Sequence, residues 1–163
     1  MTTTLPIIQQ RRIEASILKH VYDVLVESHG QAMAAETIRR AVTRSAIEQG
    51  EAMRARFDHM PDLLDFADIL KFWTADDALT IEVLDATPAR LDFNVRRCRY
   101  AELYREMGLG EIGAILSCNR DGTFCEGFNP AIVFERTQTI MEGAEYCDFH
   151  YEIPADDKTN SGR

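Results

Sequence analysis

The sequence predicts an α+β fold in which N-terminal helices pack on a mainly antiparallel sheet of about four strands. Three observations carry this expectation. Apolar residues recur at helical spacing from the N-terminus to Trp73, the period switches to two at Leu79, and alternating segments come in pairs separated by short, turn-rich stretches. Helices on one face of an antiparallel sheet are the packing solution for such an order.

The elements follow in turn. A first helix is predicted over Leu5–Ser28, with Pro6 in its first turn, Gly30 as its stop, and Ile13, Ile17, Val21, Val24 and Leu25 along one face. A second, over Gln31–Phe57, carries Ile38, Val42 and Met53 on one side and Arg39, Arg40, Arg44 and Glu48 on the other. Pro61 opens a third, whose apolar face is Leu63, Phe66, Ile69, Leu70 and Trp73. Leu79, Ile81 and Val83, then Leu91, Phe93 and Val95, alternate with polar residues around Asp85–Pro88 and predict an antiparallel hairpin. Tyr100, Leu103, Tyr104 and Met107 return to helical spacing, and a short helix or turn with Ile112, Ile115 and Leu116 leads into Cys118–Gly122, which has turn chemistry. Strands are predicted over Ile132–Met141 and Tyr146–Ile153, the latter with Cys147, Phe149, Tyr151 and Ile153 on one face. One domain is expected over residues 1–153, followed by a mobile polar tail over 154–163.

Composition excludes several classes. With 27 acidic against 18 basic residues and a net charge of −9, the chain lacks the basic excess that phosphate recognition requires, so no nucleic-acid partner is expected. The start, Met-Thr-Thr-Thr-Leu-Pro, has neither a basic nor an apolar leader region, and no apolar run reaches the ~18 residues of a membrane span. A cytoplasmic protein with no membrane partner is expected, its four cysteines reduced. No CxxC pair, histidine pair at ligand spacing or Gly-rich phosphate loop is present, so neither a metal nor another cofactor is expected. The long N-terminal helices are of a kind that can pair with a second subunit, which leaves a homo-oligomer open.

The candidate chemistry lies in the second half. Cys118 ends an apolar segment three residues before Asp121; a thiol there is either a nucleophile needing a nearby base or a small buried hydrophobe. Asp121, in Asn-Arg-Asp-Gly, is either a turn former or a proton-handling carboxylate. Arg136 shares its strand side with Ile132, Phe134 and Ile140, a costly place for a guanidinium unless it meets an anion, whether a protein carboxylate or a ligand's. Thr139 falls on the opposite face by strict alternation, and joins the same site only with a bulge or at the strand end. Cys147 is predicted inward, Cys98 nearby, and Cys125 incidental. His150 is the only histidine close in sequence to these groups.

Four separated motifs carry a family likeness: Arg97-Cys98-Arg99-Tyr100-Ala101-Glu102, Leu116-Ser117-Cys118-Asn119-Arg120-Asp121, Phe134-Glu135-Arg136-Thr137-Gln138-Thr139 and Gly143-Ala144-Glu145-Tyr146-Cys147-Asp148-Phe149. In this order they resemble the L-2-amino-thiazoline-4-carboxylic acid hydrolases. The C-terminal part is also similar to the vinyl-reductase-type ligand-sensing domain, in which a Glu and three Cys typically hold zinc; the matching positions are Arg136, Thr139, Cys147 and Cys118, two of them not ligand types. The resemblance implies a hydrolase that opens a small cyclic amidine-like ring bearing a carboxylate. It would place Cys118 and Asp121 in catalysis, with Arg136, Thr139, Cys147 and Cys98 around the substrate. The alternative it implies is a non-catalytic small-molecule-sensing domain.

Overall fold

The computed structural model describes residues 5–155. Two long antiparallel helices, α1 (Ile7–His29) and α2 (Gln31–Arg54), are separated by Gly30 at φ +84°, a conformation that glycine adopts without the Cβ penalty. The predicted third helix divides into α3 (Leu63–Ile69) and α4 (Lys71–Thr74). Asp62 caps α3 by accepting from the backbone N–H groups of Leu64 and Asp65, and Asp65 returns the bond to Asp62 N.

The hairpin forms as expected but is longer, β1 (Leu79–Thr87) and β2 (Arg90–Cys98), with Pro88-Ala89 at its tip. After α5 (Arg99–Glu106), a π-helical turn over Ala114–Cys118 runs into α6 (Asn119–Phe128). Strands β3 (Val133–Glu135) and β4 (Cys147–Glu152) complete a four-stranded, wholly antiparallel sheet in the order β1-β2-β4-β3.

Leu91, Phe93 and Val95 pair with Tyr151, Phe149 and Cys147, so period-two alternation puts all six on the helix-facing side. Phe93 and Phe149 stack at 4.7 Å. Against this face lie Phe66 of α3 and Phe124 and Phe128 of α6, forming the inner core. Helix α6 reaches its position by close approach to α2. A Cβ on Gly50 would collide with the carbonyl oxygen of Phe124, and one on Gly127 with that of Ile47.

Three expectations are corrected. The Cys118–Gly122 segment is helical rather than a turn, because Leu116, Arg120, Phe124 and Phe128 recur every fourth residue and are buried together. The strand predicted over Ile132–Met141 stops at Glu135: the backbone N–H groups of Thr137 and Gln138 donate to the Asp148 carboxylate instead of continuing the ladder. The apolar face expected on α1 is outward, Ile13, Ile17, Val21 and Val24 being exposed, while Ile7, Ile8, Arg11, Ala15 and Tyr22 face the core. No helix among the described residues is long and apolar enough to cross a membrane. Most of the expected tail, residues 156–163, lies outside the described residues.

Candidate active site

Between the sheet and its helical cover lies a cavity of two adjoining lobes, about 50 Å³ each. Trp73, Leu79, Arg120, Asp121 and Phe149 border both lobes. The rest of the first lobe's wall is the rings of Phe66, Phe93, Phe124 and Tyr151 with Gln49, Leu70, Thr74 and Ile81. The second is polar and thiol-rich, with Arg11, Cys98, Tyr100, Cys118, Arg136 and Cys147 in its wall.

The π turn and α6 supply the floor. Ser117, Arg120, Asp121 and Phe124 all border the cavity, and their spacing of three, four and seven residues places them on one helical face. Cys118 lies at the junction of the two helical segments, where a π turn shifts the register. Cys118 and Arg136 also line an open depression on the outer surface, so these two side chains stand between the interior and solvent.

Arg136 Nη1 donates to Asp121 Oδ2 at 2.5 Å and Nη2 to the Cys118 carbonyl at 3.2 Å, while the guanidinium rests over Phe134 and Phe149. Asp121 lies among protein groups on all sides, yet 28% of its side-chain surface is accessible; that surface opens to the two lobes. Burial pushes its carboxyl above the ordinary carboxylate range, against the opposing pull of Arg136. Burial alone would lower Arg136, but Asp121 outweighs it and the guanidinium is held more firmly protonated.

The thiols are all driven toward the protonated form. Burial raises Cys118 far above its usual value, with Asp121 adding to the effect, and pushes Cys98 up to about 11. Burial raises Cys147 as well, and its Sγ accepts from Ile140 N at 3.2 Å. No histidine borders either lobe: His59 bonds Asp58 and Asp65, and His150 meets Asp92 and Asp148 on the outer side of the sheet.

Five of the six predicted site residues, Cys98, Cys118, Asp121, Arg136 and Cys147, thus border one lobe. Thr139 does not. It begins the one-turn 3₁₀ helix Ile140–Glu142, and its hydroxyl donates to Glu142 Oε2 and accepts from Glu142 N. The zinc-holding pattern of the related domains does not fit here, since Arg136 brings a cation to one of its positions and Thr139 is committed to Glu142. Among the described residues, no three His, Cys, Asp or Glu side chains gather as a metal-ligand set.

Sequence reasoning missed Arg11 and Arg120, which are 4% and 9% exposed and share one carboxylate, Glu14. The signal was present in α1, where Arg11 interrupts the buried series Ile7, Ile8, Ala15 and Tyr22, and in α6, where Arg120 interrupts Leu116, Phe124 and Phe128.

A family model described as L-2-amino-thiazoline-4-carboxylic acid hydrolase matches residues 10–151. No curated protein matches the chain. Among solved structures, the chain is similar to the crystal structure of the phenol-responsive sensory domain of the transcription activator PoxR with phenol. The identity is 12% and the TM-score 0.51, over 88% of this chain and 74% of that one. At this identity the likeness shows the fold alone, and it is the vinyl-reductase-like α+β arrangement expected from the sequence.

Proposed function

The chain belongs to the family of L-2-amino-thiazoline-4-carboxylic acid hydrolases, and on that premise we propose that it opens a small cyclic amidine-like ring within the two-lobed cavity, with Asp121 as general base. The observation that carries this reading is a carboxylate fixed by Arg136 at 2.5 Å, raised by burial, and facing both lobes. A base raised above the ordinary carboxylate range is better matched to proton transfer near neutral pH than a surface carboxylate.

For the thiazoline that gives the family its name, Asp121 takes a proton from water as the oxygen bonds to the ring carbon between nitrogen and sulfur. The C=N electron pair moves to the ring nitrogen, which is protonated, and a tetrahedral adduct results. Collapse turns the adduct's hydroxyl into the urea carbonyl as the carbon–sulfur bond breaks; the hydroxyl proton passes to the departing thiolate, and N-carbamoyl-cysteine remains. Arg136 positions the base. Cys118, Cys98 and Cys147 serve as wall of the second lobe rather than as nucleophiles, because covalent attack needs a thiolate that burial and Asp121 both oppose. Thr139 acts in this scheme through the segment it caps rather than through the substrate.

A second reading, a non-catalytic small-molecule-sensing domain, draws on the aromatic lobe and on the likeness to a phenol-responsive sensory domain. The two separate in one experiment. Purified protein is incubated with L-2-amino-thiazoline-4-carboxylate and a panel of thiazolines and hydantoins, with and without chelator, and products are followed by mass spectrometry. Ring-opened product gaining the mass of one water supports hydrolysis. Binding without product across the panel supports sensing.

A further inference from the structure

The cavity's fixed charges are unevenly matched. Arg136 pairs directly with Asp121 at 2.5 Å, and Arg120 feels the same carboxylate from farther off. Arg11 and Arg120 have only Glu14 between them: Arg11 Nη1 reaches both its oxygens at 2.6 and 2.7 Å, and Arg120 Nη2 reaches Oε2 at 3.2 Å. Their remaining partners are neutral, namely Gln49 for Arg11, and the Leu116 carbonyl and Ser45 hydroxyl for Arg120. Glu14 itself is 38% exposed on its side chain, so solvent weakens its hold on the pair. Among the described residues, the three guanidiniums that border the cavity therefore meet two carboxylates, Asp121 in its wall and Glu14 behind it, and one positive charge is left over at the Arg11–Arg120 end.

Burying an unmatched guanidinium is costly unless an anion meets it. Burial and the neighbouring Arg11 charge lower Arg120 to about 10 against the pull of Glu14, so it stays protonated at neutral pH. Arg120 borders both lobes, so an anion held there sits at the mouth of the ring-walled lobe formed by Phe66, Phe93, Phe124 and Tyr151. That lobe offers a flat group aromatic faces and edges from Phe66, Phe93, Phe124 and Tyr151, with its polar side chains, Gln49, Thr74, Arg120 and Asp121, among them.

We propose that the Arg11–Arg120 pair is the anion subsite of this cavity, and that its preferred ligands are small carboxylates joined to a flat apolar ring. The carboxylate lies on the arginine pair and the ring enters the aromatic lobe. The proposal rests on reading the cavity as the ligand site and deepens it by naming the ligand class. It assigns the carboxylate contact to Arg11 and Arg120, and leaves Arg136 to hold Asp121.

The chain's one tryptophan, Trp73, borders both lobes, so its fluorescence reports occupancy without turnover. Titrations with benzoate, its neutral isostere benzamide, and acetate compare charge and ring separately. The wild type is expected to bind benzoate at least about tenfold more tightly than benzamide, the scale of one charge-assisted hydrogen bond over a neutral one, and more tightly than acetate, which lacks the ring that enters the aromatic lobe. Arg11→Gln and Arg120→Gln, checked as folded by circular dichroism, are expected to bring benzoate to the benzamide level. Equal wild-type affinities for benzoate and benzamide, or a preference that persists in both folded variants, overturns the proposal. The wild-type comparison decides alone if neither variant folds. Selective benzoate binding in a protein that turns over no ring substrate would sink the hydrolase reading and leave this subsite standing.

Discussion

Replacing Arg136 by methionine removes the partner of Asp121 while keeping much of the side-chain volume that packs on Phe134 and Phe149. Breaking a fully buried ion pair from one side costs about 3–5 kcal/mol. Here the two side chains keep 14% and 28% of their surface accessible, and Asp121 can escape an unpaired charge by taking a proton, so we expect a smaller cost, about 2–3 kcal/mol near neutral pH. The pH dependence follows from the direction of the Asp121 shift. Its folded value is already raised, and losing Arg136, which opposes that rise, raises it further. A carboxyl with a raised folded value contributes stability below its unfolded value and loses it as pH rises through the folded one. The cost of the substitution should therefore be larger at about pH 8 than at about pH 5, where protonated Asp121 needs no cation. Urea unfolding of both proteins at the two pH values, analysed by midpoint and slope, reads this directly. A cost below about 0.5 kcal/mol, or one equal at both pH values, would refute the buried-pair argument.

Two further predictions concern the same framework. Asp121→Asn keeps an acceptor for Arg136 and removes the buried charge, so the loss of stability that the wild type shows as pH rises through the Asp121 value should be reduced in the variant; an unchanged pH slope would mean that this carboxyl is not raised. Gly127→Ala drives a Cβ into the Ile47 carbonyl of α2, backbone against backbone, and should cost at least about 3 kcal/mol, lowering Tm by roughly 6–12 °C in a thermal melt; a shift under about 2 °C would show that the α2–α6 crossing gives way easily.

How far the sequence carried depends on where each residue's partners lie. The hairpin was readable because alternation is a local signal, and Leu91, Phe93 and Val95 do face the core. The predicted strand through Arg136 is too long because its β-branched composition says nothing of Asp148, which sits on the neighbouring strand β4 and captures the Thr137 and Gln138 amides. Asn-Arg-Asp-Gly looked like a turn by composition; the fourfold recurrence from Leu116 to Phe128 overrides it once Gly127 lets α6 settle on α2. On α1 two apolar stripes competed, and the one containing an arginine turned inward, because Glu14 and Gln49 receive that arginine. The site shows the same division. Cys118 and Asp121 stood out within one motif, whereas the Arg11–Arg120–Glu14 cluster joins the first helix to α6 and has no local signature.

The central claim is that Asp121, held in an interior cavity, activates water while the adjacent thiol serves only as wall. Turnover of L-2-amino-thiazoline-4-carboxylate by the wild type, Cys118→Ala and Asp121→Asn tests it most directly, each variant first shown to be folded. The account predicts that the cysteine variant stays within about tenfold of the wild type, while the asparagine variant falls by about 10²–10⁴-fold. The reverse order, with activity lost with the thiol and kept without the carboxylate, would contradict it.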